Sequence, residues 1–167
     1  NLGYPCRRED VADYLAYLKD AYFAYSVPVL SESLAVKRVN PEKYYVIDTG
    51  LINAATPKAD AEKGWKLENI VYLHLRRGVN RIHYLSLGDN REVDFHVYDP
   101  INERSRLVQV AWDLDDDATA AREIMALVEA RKSTGIADCT IVTWDTERTL
   151  AEGIRIVPVW KWLLEDS

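Results

Sequence analysis

The chain has little sulfur and little glycine: two cysteines, one methionine and seven glycines in 167 residues. Cys6 and Cys139 stand far apart and fit no metal-binding or redox spacing, which argues against a disulfide scaffold and for reduced thiols in a cytoplasmic protein. The phosphate-cradling pattern G-x-x-x-x-G-K-[ST] does not occur, so this stretch carries no nucleoside-triphosphate site of that kind. There are no internal repeats, no low-complexity tracts, no signal-peptide pattern and no apolar run approaching the length of a membrane span. An excess of basic charge is missing too. With 21 Lys and Arg against 27 Asp and Glu, the formal charge is -6, and the chain as a whole has no electrostatic footprint for nucleic acid or an anionic membrane. Any nucleic-acid contact must be local.

What is present suits a folded α/β chain. Hydrophobic residues make up 48%, enough for a sizeable core at this length. Five Trp and ten Tyr against two Phe supply rings with a polar edge, suited to partly exposed or partner-facing surfaces. Residues 1–47 hold six basic and six acidic side chains, so the whole charge of -6 belongs to residues 48–167, with fifteen basic and twenty-one acidic. The chain opens Asn-Leu-Gly rather than on Met and enters a helical pattern almost at once, so it reads as a piece of a longer protein.

From Arg8 to Tyr25, apolar residues at Val11, Tyr14, Leu15, Leu18, Tyr22 and Tyr25 follow helical spacing, with Glu9 and Asp10 at the positive end of the helix dipole. Short runs of strand composition follow, YSVPVL, LAVKRVN and KYYVID, and a helix feeding a hairpin is the second half of a winged helix. Asp48 to Leu51 reads as a junction and Thr56 to Asp60 as a loop. GWKLENIVYLHLRR is a helix that Gly78 ends, and a second helix runs from about Ala118 to Thr134 with Gly135 as its stop. ADCTIVTW and IRIVPVW are strands, separated by a polar connection at Asp145 to Glu152, and WKWLLED is a short closing helix. The second part thus runs helix, three strands, helix, strand, strand, helix, an α/β fold with a mixed sheet flanked by helices.

The three strands read as a meander from Arg81 to Asp117, joined by turns at Gly88-Asp89-Asn90 and Asp99-Pro100-Ile101-Asn102, and they concentrate the polar chemistry. Period-two alternation sends Glu92, Asp94 and His96 to one face and Val93, Phe95 and Val97 to the other. On the next strand Leu107, Gln109 and Ala111 point one way, and Val108, Val110 and Trp112 the other. Such a face is a metal site, a former metal site, or the wet side of a sheet. Asp113 and Asp115 to Asp117 could extend an acidic site, but acids before a helix more often cap it. His74 and His83 read as structural histidines, and His96 shares the expected face of Asp94. No Ser/His/Asp nucleophile pattern is evident.

An acid on the first helix of the second part, an acid on the second strand and a Gln on the third make the order similar to the PD-(D/E)XK, restriction-endonuclease-like fold. More closely, NPEKYYVIDTGL, LEN, REVDFHV, LVQV and VPVWKWLL resemble a prokaryotic C-terminal domain of unknown function that follows an AAA+ ATPase module and a winged helix. The resemblance covers nearly the whole chain. It implies a partial winged-helix region at 1–47 and a nuclease-like domain at 48–167. It further implies a site built of Glu68, Asp94 and Gln109, with Glu68, Asp94 and also Glu92 as ligands for Mg²⁺, and ATP handled only by a module outside this chain. Arg7, Arg8, Lys37 and Arg38 would be the nucleic-acid contacts of the winged helix, opposed by Glu9, Asp10 and Asp13.

The pattern has a gap. The lysine of the third motif falls two residues after Gln109, where this chain has Ala111, which cannot stabilise a hydroxide or developing phosphorane charge. Arg106 has the opposite parity, and Lys66 lies about 200° around the helix from Glu68. The first expectation is therefore a nuclease-like module that has lost catalysis and serves DNA or protein recognition, docking of the ATPase, or self-association. The alternative is a Mg²⁺-dependent nuclease whose cation comes from another side chain or a second subunit.

Overall fold

The computed structural model describes residues 7–55, 63–78, 81–88, 91–150 and 153–165. Cys6, the loop at Thr56 to Asp60, Asp89 and Asn90 of the first meander turn, and the side chain of Arg8 lie outside the described part.

A six-stranded mixed sheet forms the centre. Its strands are β3 (Arg81–Gly88), β4 (Arg91–Asp99), β5 (Arg104–Val110), β6 (Cys139–Thr143), β7 (Arg148–Thr149) and β8 (Arg155–Pro158), in the order β3-β4-β5-β6-β8-β7. The β3-β4-β5 meander is antiparallel, β5-β6 and β6-β8 are parallel, and β7 returns antiparallel on β8. Helix α5 (Asp117–Thr134) is the crossover that parallel β5 and β6 require. Its start is fixed by Asp116, whose carboxylate accepts the Thr119 N–H at 2.7 Å, and its end by Gly135 at φ 74°.

Each sheet face buries its own apolar set. On one face α4 (Lys63–Arg77) and α6 (Val159–Glu165) bring Leu67, Val71, Tyr72, Leu75 and Trp162 onto Phe95, Val97, Val108 and Val142. On the other, Ala120, Ala126, Leu127 and Ala130 of α5 pack on Val93, Leu107, Ile141 and Ile156. The buried β6, with all five residues inside, is the fully covered strand that a parallel position demands. The expected alternation on β5 holds, with Leu107 and Ala111 in one core and Val108, Val110 and Trp112 against the other. The polar connection before β8 contains the two-residue strand β7, too short to leave a periodicity signal.

The first part departs from the expected pattern. Helix α1 runs Arg8–Asp20 and stops before Tyr22, whose φ of 56° breaks the helix; its stripe residues Val11, Tyr14 and Leu18 are exposed. Strand β1 (Ala24–Val27) pairs antiparallel with β2 (Lys43–Val46), so a helix does feed an antiparallel pair. LAVKRV, expected as a strand, is instead helix α2 (Leu34–Val39), capped by the Ser33 hydroxyl accepting from the Val36 N–H. β-Branched residues favour strands only where a partner strand and a covered face exist, and α2 buries no residue at all. A helix therefore connects β1 to β2 in place of a tight wing. The junction at Thr49–Ala55 is helix α3. Val27, Val29 and Tyr45 enter the α4-side core, and the Pro28–Leu30 segment hydrogen-bonds to the Tyr84 backbone along the open edge of β3. Across the expected boundary at residue 47, the side chain of buried Asn69 on α4 grips Val46, accepting its N–H at 2.8 Å and donating to its carbonyl at 3.0 Å.

Candidate functional site

The residue that organises the site is Asp94, and a bulge puts it there. His83 pairs with His96 and Leu85 with Val93, so Asp94 and Phe95 together stand opposite the single residue Tyr84. The extra residue shifts the side-chain alternation by one. Val93 goes to the α5-side core while Phe95 and Val97 go to the α4 side, so the expectation that Val93, Phe95 and Val97 share a face is corrected. His96 therefore separates from Asp94 and lines a different cavity with His83.

Backbone pairing of β4 with β5 begins at Phe95 and Val108, and side chains take over one step earlier. The Asp94 N–H donates to Gln109 Oε1 at 3.1 Å, and the Val110 N–H donates to Asp94 Oδ2 at 2.9 Å. Both residues are buried, at 6% and 5% exposure, and the side chain of each stands in for a missing ladder partner. Gln109 also donates through Nε2 to Glu123 of α5 at 2.6 Å, which fixes the orientation of its amide. The second oxygen of Glu123 accepts from Arg122.

The other carboxyl oxygen of Asp94 faces Lys43 of β2. The Lys43 ammonium lies 2.8 Å from Asp94 Oδ1, 2.8 Å from Glu92 Oε1 and 3.3 Å from Glu68 Oε1. Two residues on, Tyr45 occupies the same face of β2 and donates its hydroxyl to Glu68 Oε1 at 2.6 Å. Its ring is locked by stacking on Tyr72, with centroids 4.3 Å apart, and by Phe95 at 5.5 Å. Glu68 comes from the first turns of α4, one residue before the Asn69 clamp that holds β2 against this helix. The expected helix acid and strand acid thus meet, bridged by a cation that sequence reasoning missed. Ala111 is buried against the α5 side and contributes no polar group.

The electrostatics follow from burial. Glu68 is pushed up to about 7 by desolvation and then by the charge of Asp94, with Lys43 and the Tyr45 hydroxyl pulling the other way. Lys43 has burial against it, yet the carboxylates of Asp94 and Glu68 outweigh that and hold its ammonium well above the usual range. Burial and Glu68 likewise keep the Tyr45 hydroxyl protonated.

An open cavity of about 400 Å³ lies over this group. Trp65, Arg91, Arg122 and Val110 line it together with Glu68, Glu92, Asp94, Gln109 and Glu123. Arg91 is ion-paired with Glu129. Among the described residues, no three His, Cys, Asp or Glu side chains converge as a metal cage. Mg²⁺, however, keeps several waters and is commonly held by one or two carboxylates plus substrate phosphates. Glu68 and Asp94, close enough to share one ammonium, offer that donor set.

Of the expected nucleic-acid contacts of the first part, Arg7, Lys37 and Arg38 do not line this cavity. Arg7 sits at the start of α1, its N–H donating to Asp10 at 2.9 Å, while Lys37 and Arg38 lie on α2. Asp113 and Asp115 to Asp117 do not line the cavity, and Asp116 is the α5 cap. A sequence signal for Lys43 did exist in the i, i+2 spacing of Lys43 and Tyr45 on a strand. It pointed nowhere until the partner of that face was known.

The fold and cavity define a mixed α/β domain with a carboxylate-lysine cluster at a β-bulge. Residues 2–62 match a family described as a domain of unknown function (DUF8612). An uncharacterized protein of Methanocaldococcus jannaschii is 33% identical over 169 residues, covering 94% of this chain and 36% of that protein. An uncharacterized protein of Haemophilus influenzae is 26% identical over 164 residues, covering 96% of this chain and 38% of that protein. The chain thus spans little more than a third of the length of the curated relatives it matches. No solved structure matches it. Among the described residues no helix is long and apolar enough to cross a membrane.

Proposed function

We propose that the cavity over Glu68, Asp94, Gln109 and Lys43 is a nuclease-like site for Mg²⁺-dependent phosphodiester hydrolysis, in a module that works beside an AAA+ ATPase. The observation that carries this reading is the Lys43 ammonium, 2.8 Å from Asp94 and 3.3 Å from Glu68. It supplies from β2 the cation that Ala111 cannot supply from β5. Glu68 and Asp94 would hold the ion, which when bound polarises the phosphate and acidifies water. The Val110 N–H holds the Asp94 carboxylate, and Gln109 holds the backbone that carries it. Lys43 holds a hydroxide or an incoming phosphate oxygen by charge, and Arg91 and Arg122 face the same cavity to receive further phosphate charge. The greater length of the two relatives leaves room for an ATPase module.

One observation favours a second reading. The ammonium touches three carboxylates at once, so Lys43 can equally be an internal counter-ion that ties β2 to the sheet. In that case the module is non-catalytic and serves recognition of DNA or protein, or assembly. The two separate in a cleavage assay of plasmid and single-stranded DNA with Mg²⁺ or Mn²⁺, run on parent, Lys43→Met and Asp94→Asn. Metal-dependent cleavage lost in both variants supports the hydrolytic site. Absence of cleavage by the parent, with no divalent ion bound in calorimetry, leaves the counter-ion reading.

A further inference from the structure

The bulge that isolates Asp94 leaves a second polar feature unused. His83 and His96 stand directly opposite one another on β3 and β4, with ring centroids 6.3 Å apart. The Nδ1 atoms of both rings are shut off from solvent and have no hydrogen-bond partner. His96 is 8% exposed. A buried N–H without an acceptor is far less tolerable than a bare lone pair, so each neutral ring carries its proton on Nε2. With Nδ1 enclosed, Nε2 is the nitrogen left to face the cavity that both rings line.

That cavity, about 380 Å³, shares no lining residue with the first. Its wall is the Pro28–Ser31 segment along the β3 edge, and its polar groups besides the imidazoles are Arg81, Tyr98, Lys37 and Glu32. Lys37 and Arg81 are close enough to His83 that, after burial, their charges are what hold its imidazole below the ordinary range. Two fixed cations and two imidazole N–H donors in one pocket are complementary to an oxyanion, and the single carboxylate of Glu32 leaves the set positive. A transition metal is the other ligand a histidine pair suggests. Such an ion needs a third protein donor, and among the described residues no three His, Cys, Asp or Glu side chains are arranged to hold a metal ion. Lys37 and Arg81 would also repel it.

We propose that the His83/His96 cavity is an oxyanion site that takes a phosphate or phosphomonoester group, with Arg81 and Lys37 supplying charge and the two histidines directional N–H donors. The site is independent of the reading of the Asp94 cavity, because the two share no residue. Phosphate fits the size of the pocket with space left for the group that carries it, since small-ligand cavities begin at about 300 Å³.

The test is a titration of the folded chain with inorganic phosphate at slightly alkaline pH, followed through the imidazole resonances of His83 and His96, with His74 on α4 as internal reference and sodium chloride at matched ionic strength as control. The expected result is a saturable shift of His83 and His96 with phosphate, none with chloride and none at His74. Binding should weaken by about tenfold in Arg81→Gln/Lys37→Gln, both exposed positions whose loss leaves the core intact. No saturable shift, equal binding by the double variant, or saturation of both rings by Zn²⁺ but not by phosphate would overturn the proposal.

Discussion

The ammonium of Lys43 and the carboxylate of Asp94, 51 residues apart in the chain, lie 2.8 Å from each other. The strand β2 that carries Lys43 belongs to a separate two-stranded sheet, and the bulge that carries Asp94 belongs to the central one. Together with the Lys43 contacts to Glu68 and Glu92 and the Tyr45 hydroxyl on Glu68, this contact ties the first part of the chain to the site of the second. Its strength depends on how little water reaches it: about a fifth of the Lys43 side chain and 8% of that of Asp94 are exposed.

Removing the ammonium should therefore destabilise the fold as well as alter the site. In Lys43→Met the carboxylates of Asp94 and Glu68 face each other without a counter-ion, a loss of about 2–3 kcal/mol once partial exposure is allowed for. Urea unfolding at pH 8 checks this. The deficit should shrink at pH 5, where Glu68 is protonated, and a deficit equal at both pH values would contradict the account.

Glu68 gives the domain a pH dependence of its own. Its folded value of about 7 stands above the ordinary 4.5. Below 4.5 the folded and unfolded chains both hold the proton. Between 4.5 and 7 the unfolded chain releases it while the folded chain keeps it, so stability falls as pH rises, by about 3 kcal/mol once the folded group has titrated. Glu68→Gln keeps an acceptor for Tyr45 and abolishes the titration. Thermal melts across pH 4 to 8 should show a flatter profile for the variant, and parallel profiles would sink the idea.

Gln109 is more than a polar residue on a strand. In Gln109→Ala the buried Asp94 N–H loses its acceptor and Glu123 Oε2 its donor, a cost of about 1–3 kcal/mol. In Gln109→Glu a carboxylate would meet Glu123 where the amide now donates at 2.6 Å, so one of the two acids must take up a proton. Chemical denaturation should rank parent above Gln109→Glu at pH 8 and bring the two together at acidic pH. A Glu variant as stable as the parent at pH 8 would show that the amide contact is unimportant.

Asn69 acts as a short piece of strand. Its side chain satisfies both the N–H and the carbonyl of Val46, so Asn69→Ala leaves two backbone groups unpaired and should cost about 2–4 kcal/mol. Asn69→Asp cannot donate to the Val46 carbonyl and should be no better. Hydrogen exchange at Val46 reads the effect locally. Unchanged protection there in Asn69→Ala would refute the clamp.

The sequence by itself determined the elements whose cause is local. The Leu67 and Val71 stripe of α4, the cap and glycine stop of α5, the buried run of β6 and the alternation of β5 are all written in period and punctuation. The residues Glu68, Asp94 and Gln109 were legible only through resemblance to a family, since an acid on an alternating strand looks like any solvated acid. Tertiary structure decided the rest. The bulge at Asp94 is a matter of how β4 meets β3, and no pattern within β4 marks it. Whether LAVKRV becomes strand or helix depends on its surroundings in the fold, where it is a helix that buries no residue. Lys43 acquires its role from Asn69, which holds β2 against α4, and from the bulge, which turns Asp94 towards it. A charge finds its partner through the path of the backbone in space, and period and composition carry no record of that path.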